Sequence, residues 1–193
     1  TASERFSVGG KGINVSLALK ELDEQTLALG FVAGFTGDYI REKVAELGLE
    51  HFFIEVKGKS RINVKIKSNN ETDINGIGAD VMQSDVNKLI RKLKTLLKAG
   101  DWLIVSGSVP SSLDDTAYAE LFKKLKAIEG VNIVVDACGK LLTNTLKYRP
   151  FLIKPNVYEM CEIFGLNAIP DIEGISAGAR ALKNRGARNV MVS

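Results

Sequence analysis

Several short runs place charged and hydrogen-bonding groups where a chain turns between elements. Residues 8–14, VGGKGIN, set Gly9, Gly10 and Gly12 around Lys11 and bring Asn14 in as a helical pattern begins. Glycines let the backbone approach a ligand closely, and successive amides ahead of a helix form a concavity for anions or hydroxyls. Lys11 supplies a point charge suited to a phosphate. Asn14 offers both a donor and an acceptor, as a sugar diol requires. Three further turns share this character: Ser106-Gly107-Ser108-Val109-Pro110, Asp136-Ala137-Cys138-Gly139-Lys140, and Lys154-Pro155-Asn156-Val157-Tyr158-Glu159. Each follows an apolar run that reads as a strand. Ligands of parallel sheets collect at such strand ends. Hydroxyl, carboxylate and lysine groups together suit a polar, phosphate-bearing ligand.

The elements that must hold these turns alternate. Residues 13–22 are apolar at helical spacing, 26–33 read as a buried strand, and Asp38 is expected to cap a helix ending at Gly48. Between 52 and 75 the pattern changes to the short runs FFIEV, RINVKIK and ETDIN, joined by KGKS and SNN. Those runs predict a small antiparallel meander. Alternation then resumes: a helix at 84–98, strands at 101–105 and 131–135 with a helix at 114–127 between them, and a strand at 151–153. A helix from Asn156, another at 171–185 and a strand in NVMV follow. Repeated βα units predict an α/β fold, a doubly wound, mostly parallel sheet with helices on both faces. The helix at 84–98 aligns Val86, Leu89, Ile90, Leu93, Leu96 and Leu97 opposite Lys and Arg, which reads as a solvated basic face.

Composition excludes other classes. The 193 residues are 45 % hydrophobic and 25 % charged, with net charge +3. That balance is ordinary for a globular domain and gives no basic excess for nucleic acid. No run approaches the roughly 18 apolar residues of a membrane span, and a cytoplasmic location is expected. Cys138 and Cys161 lack metal-site spacing and are expected to be reduced, mostly buried thiols. His51 and Trp102 are given no role beyond packing or surface. The polar opening TASERFS, and a stop directly after a strand, suggest a domain cut at both ends. Competing motifs fit poorly: Gly10-x-Gly12 lacks the third glycine of a dinucleotide fingerprint, Asp38 lies past the second strand, and no GxxxxGK[ST] loop occurs.

In this order and spacing, GGKGIN, GFTGDY, RINVKIK, SGSVP and KPNVYE resemble the phosphofructokinase-B branch of the ribokinase-like sugar kinases, over essentially all 193 residues. The resemblance implies an α/β core in 1–49 and 79–193 with its C-terminal nucleotide-binding and catalytic part absent, and a β-sheet lid in 50–78. It implies ATP and Mg²⁺ as cofactors and a sugar phosphate as acceptor, with no nucleic-acid or membrane partner. A homodimer through the lid also follows from it. Gly9, Gly10 and Asn14 match positions holding sugar hydroxyls, and Lys11 suits the acceptor's phosphate. Arg61 matches a lid arginine that grips the phosphate; Ser108 and Asp136 line the sugar rim. Lys154 fits the ATP phosphates, and Asn156 and Glu159 match an NxxE motif that arranges Mg²⁺ and water. The same NxxE pattern is equally a helix capping box, and both readings can hold together.

The implied reaction is ATP-dependent phosphoryl transfer to a ketose phosphate, fructose 1-phosphate ahead of tagatose 6-phosphate. A non-catalytic sugar-phosphate-binding fragment is the rival. Family members take the acceptor's proton with an aspartate in a C-terminal GAGD-type motif, which this sequence lacks. GIGAD at 76–80 follows the lid strands, so Asp80 is read as structural or exposed. The base is expected beyond Ser193, and the 193 residues alone are expected to be inactive.

Overall fold

A computed structural model describes residues 4–67 and 71–193. It divides into two compact units, one of residues up to Leu89 with Pro110–Ser112, the other of Ile90–Val109 with Leu113–Ser193.

The first unit begins with α1 (Lys11–Lys20), β1 (Leu27–Val32), α2 (Gly34–Glu46) and β2 (Glu50–Glu55). β1 and β2 pair in parallel from Leu27↔Glu50 to Val32↔Glu55. A parallel pair needs a crossover, and α2 supplies it. Ala28, Val32, Val44, Leu49 and Ile54 are buried between these elements. The expected meander is corrected here, because the run at 52–56 joins this parallel pair. Only β3 (Asn63–Lys67) and β4 (Glu71–Asn75) are antiparallel, with Val64 opposite Ile74. The turn read at Ser68-Asn69-Asn70 lies outside the described residues.

Asp38 is not a cap. α2 starts four residues earlier, with Ala33 as N-cap, and Asp38 sits inside the helix 2.9 Å from Arg41. At the other end Gly48 adopts φ +65°, the left-handed conformation that ends a helix.

α3 (Gln83–Leu96) follows, with Ile90 and Leu93 buried and Lys88, Arg91 and Lys94 exposed. The second unit then repeats the βα pattern: β5 (Trp102–Ser106), α4 (Ala117–Leu125), β6 (Asn132–Asp136), α5 (Gly139–Thr143), a 3₁₀ turn (Leu146–Tyr148) and β7 (Leu152–Ile153). It ends with α6 (Val157–Phe164), α7 (Ile172–Asn184) and β8 (Asn189–Val190). β5, β6, β7 and β8 stand side by side in chain order, all parallel. Val135, Ile153, Phe122, Leu142, Met160 and Leu182 form its core. The architecture is α/β with parallel sheets, as expected. Among the described residues, no helix is long and apolar enough to cross a membrane.

Both cysteines are free, but only Cys161 is buried; Cys138 is exposed, which corrects its reading as a core thiol. It follows the strand end of β6 as N-cap of α5, so its side chain stands outside the hydrophobic layer.

Candidate functional site

The residues singled out from sequence fall in both units. Gly9, Gly10, Lys11, Asn14 and Arg61 belong to the first; Ser108, Asp136, Lys154, Asn156 and Glu159 belong to the second.

In the first unit, Gly10 is the N-cap of α1 at φ +108°, and its carbonyl accepts the Asn14 amide at 3.1 Å. The N-cap is a glycine and so has no side chain to offer the first-turn amides. Side chains added at Gly9 or Gly10 would meet nothing within 4 Å. Gly10 is explained by its backbone angle. Gly9 has neither a positive φ nor a crowded neighbour, so the fold itself does not demand a glycine there. Lys11 and Asn14 are exposed beside it.

Arg61 lies just before β3, with its side chain exposed. Its position is set from the residue before it. Ser60 Oγ accepts the Ala33 amide at 2.9 Å, Ser60 N donates to Ala33 O at 2.9 Å, and Thr36 Oγ1 donates to Ser60 O at 3.0 Å. Two glycines of GFTGDY make this approach fit. A methyl at Gly34 would lie 2.7 Å from the Gly58 carbonyl oxygen, and one at Gly37 would lie 3.1 Å from Val32 Cβ and 3.4 Å from Ser60 Oγ. Asp80 bridges the backbone of Lys57 and is exposed, as its structural reading implied.

In the second unit the strand ends form a row. Ser106 is in register with Asp136, Gly107 N donates to Asp136 O at 2.9 Å, and Lys154 N donates to Val135 O at 3.0 Å. The turn carrying Ser108, the Asp136 strand end and Lys154 are thus on three adjacent strands. Beneath them, the Tyr118 hydroxyl shares its proton between the carbonyls of Gly107 at 3.1 Å and Ser106 at 3.3 Å. Burial, with Asp136 and Cys138 nearby, pushes the phenol up to about 12, which extends its donor form into the alkaline range.

Lys154 Nζ donates to Ser193 Oγ at 3.0 Å, and the Val157 amide donates to Ser193 O at 3.0 Å. Asn156 and Glu159 begin α6 as a full capping box. Only Oε2 of Glu159 is used in it. Among the described residues no three His, Cys, Asp or Glu side chains gather as metal ligands.

Ser60, Tyr118 and Ser193 were not singled out from the sequence. Ser60 was read as part of a turn and Tyr118 as part of a helix. The hydroxyls of Ser60 and Tyr118 are recognisable only through backbone partners, and that of Ser193 only through the Lys154 ammonium 39 residues earlier.

The model of the pfkB family carbohydrate kinases matches residues 1–193. The chain is 41 % identical over 185 residues to the 1-phosphofructokinase of Bacillus subtilis, covering 96 % of this chain and 60 % of that protein. It is 34 % identical over 193 residues to the D-tagatose-1-phosphate kinase of Bacillus licheniformis, covering 100 % of this chain and 63 % of the relative. It therefore spans about three-fifths of the length of these relatives. Among solved structures, the phosphofructokinase-2 of Escherichia coli in complex with fructose-6-phosphate superposes with a TM-score of 0.87 at 24 % identity, over 96 % of this chain and 62 % of that one.

Proposed function

We propose, from the premise that this chain belongs to the pfkB family of carbohydrate kinases, that the intact protein transfers a phosphoryl group from ATP to a ketose phosphate. Fructose 1-phosphate is the favoured acceptor and fructose 1,6-bisphosphate the product. The carrying observation is the row of Ser108, Asp136 and Lys154 on three adjacent strand ends, beside the cap of α6. The 41 % identity to a 1-phosphofructokinase supports the choice of acceptor.

In this reading Gly9, Gly10 and Asn14 take the sugar hydroxyls. The amides at the start of α1 and the Lys11 ammonium favour the acceptor's phosphate. A bidentate guanidinium at Arg61, at the entry to the hairpin, couples phosphate capture to closure of that hairpin as a lid. Ser108 and Asp136 orient the sugar. Lys154 and the start of α6 face the phosphates of ATP. Bound Mg²⁺ neutralises charge developing on those phosphates; Glu159 Oε1, left over from the cap, is the oxygen available to its water shell. The proton acceptor is assigned to a GAGD-type aspartate, a motif that these 193 residues do not contain. The chain expressed alone is therefore proposed to bind without turnover. A cytoplasmic location and pairing of two copies through the hairpin complete the proposal.

The test is a coupled ADP-release assay on the full-length protein with fructose 1-phosphate, tagatose 1-phosphate and tagatose 6-phosphate. The expected result is the highest kcat/KM with fructose 1-phosphate. Equal efficiency on either tagatose phosphate removes the preference, and no ADP release with any of them removes the reading. The tagatose alternative has its own support in the 34 % identity to a D-tagatose-1-phosphate kinase. That sugar carries its phosphate on the same carbon and differs in one hydroxyl configuration.

A further inference from the structure

Arg61 carries the proposed grip on the acceptor's phosphate, yet among the described residues its guanidinium has no hydrogen bond or ion pair to hold it. Long side chains locate a charge only as well as their backbone is located. The local anchor lies one residue earlier. Ser60 is 9 % exposed, although it sits in a run of exposed residues from Lys57 to Ile66.

Three hydrogen bonds tie Ser60 to the point where β1 ends and α2 begins. Two of them are reciprocal with Ala33, which is 1 % exposed. One of those uses the side chain: the Ala33 amide is answered by the Ser60 hydroxyl. Gly78 lies beside the root of Arg61: a methyl there would be in ordinary van der Waals contact with Arg61 Cβ, at 3.7 Å. The Gly76 amide meanwhile donates to Ile62 O at 2.9 Å, pairing the way into the hairpin with the way out. Arg61 thus stands between the clamped Ser60 and Ile62, whose carbonyl is paired with Gly76.

We propose that Ser60 is a positioning residue for Arg61, its hydroxyl pinning the entry to the hairpin onto the carboxyl end of β1 so that the guanidinium starts from a fixed place. This inference rests on the reading of Arg61 as the phosphate-binding residue. It also gives GFTGDY a purpose: Gly34 and Gly37 admit the Gly58–Ser60 segment, and Thr36 supplies the third bond. A substitution at Ser60 acts on the acceptor's phosphate and leaves the groups assigned to ATP untouched.

The experiment compares Ser60→Ala, Ser60→Thr, Arg61→Ala and the double variant Ser60→Ala/Arg61→Ala in the full-length protein, with separate KM values for fructose 1-phosphate and ATP. Ser60→Ala is expected to raise the acceptor KM about tenfold with kcat within about twofold and the ATP KM unchanged. Ser60→Thr keeps the hydroxyl and is expected to restore the acceptor KM. The double variant is expected to be no worse than Arg61→Ala, because residues acting through one contact are not additive. Multiplying effects in the double variant, or equal rises in both KM values, overturn the inference. Thr36→Val removes the bond to Ser60 O together with the longer one to Ala33 O at 3.3 Å, leaves both Ser60–Ala33 bonds in place, and guards against loss of fold; it is expected to raise the acceptor KM about threefold, and an unchanged value counts against the clamp. An unchanged KM in Arg61→Ala overturns the reading of Arg61 itself and the inference with it. A raised KM in Arg61→Ala beside an unchanged one in Ser60→Ala overturns the inference alone.

Discussion

Asn156 and Glu159 cap one another's backbones: the Glu159 amide donates to Asn156 Oδ1 at 2.8 Å, and the Asn156 amide donates to Glu159 Oε2 at 2.8 Å. Two of the four orphan donors at the start of α6 are satisfied by this exchange. The geometry fixes the side chain of Glu159 through one oxygen and leaves the other over. A structural duty and a duty toward bound phosphates are therefore compatible in one residue, and the charge can be separated from the cap by mutation.

Glu159→Gln keeps an amide oxygen for the Asn156 N–H while removing the charge, whereas Glu159→Ala removes both. The alanine variant is expected to lose about 1 kcal/mol of stability and the glutamine variant less than about 0.5 kcal/mol. If the free oxygen serves the metal's water shell, Glu159→Gln lowers kcat about tenfold and raises the Mg²⁺ concentration needed for half-maximal rate. Thermal melts together with Mg²⁺ titrations of the full-length protein read both effects. A glutamine variant with wild-type kinetics leaves Glu159 as a cap alone.

Gly9 and Gly10 are adjacent but should respond oppositely. Alanine at Gly10 must adopt φ +108°, a conformation costing about 1–2 kcal/mol for a residue with a side chain. Alanine at Gly9 meets open space and is expected to leave stability unchanged or raise it by up to about 1 kcal/mol, through lost freedom in the unfolded chain. Its cost appears with the ligand, as an acceptor KM raised about tenfold. Denaturant melts and kinetics on Gly9→Ala check this; an unaffected KM removes Gly9 from the sugar contacts.

Tyr118 links the strand-end row to alkaline stability. Below pH 10 the phenol is protonated in folded and unfolded chains alike, and its contribution is whole. Between pH 10 and 12 the unfolded phenol ionises while the folded one, pushed up to about 12, stays neutral. Unfolding then releases a proton, so stability falls by about 1.4 kcal/mol per pH unit, roughly 2–3 kcal/mol over the window. Tyr118→Phe is expected to be about 1 kcal/mol less stable at pH 8, from the lost hydrogen bond to Gly107, and to lack this component of the alkaline slope. Parallel slopes for the two proteins above pH 10 would show that the phenol ionises equally in both states.

These supports explain how much was legible in the sequence. Glycine, lysine, arginine and NxxE patterns announce themselves by residue type, and the start of α6 was readable because both halves of its cap lie within four residues. The helices and the parallel strands of the second unit were readable from apolar spacing. Phe52 to Val56 were misjudged because a short apolar run reads the same whether its partner is parallel or antiparallel; β2 finds its partner 23 residues earlier, across α2. Asp38 looks like a cap in isolation, but Ala33 is already held by Ser60, 27 residues away, and α2 starts there. The side chains that hold the candidate site were missed for the same reason. Ser60 and Tyr118 bond backbone groups, and backbone partners carry no residue signature.

The hairpin's surface carries an apolar strip. Val64, Ile66 and Ile74 are 46, 49 and 55 % exposed, and alternation along β3 with the Val64↔Ile74 register puts all three on one face. Lys65 and Asp73 pair at 3.3 Å on the opposite face. An apolar strip on a two-stranded ribbon is unstable against water unless it is covered, and a second copy of the same strip is self-complementary. In a two-fold interface every substitution counts twice. Ile66→Glu would bury two unpaired carboxylates, at about 2 kcal/mol each, which weakens pairing about a thousandfold. Sedimentation of the full-length protein at micromolar concentration is expected to show a dimer that Ile66→Glu converts to a monomer, while Lys65→Glu, on the other face, leaves it paired. A monomeric wild type, or an Ile66→Glu variant that still pairs, would mean that the strip is covered by something other than its own copy.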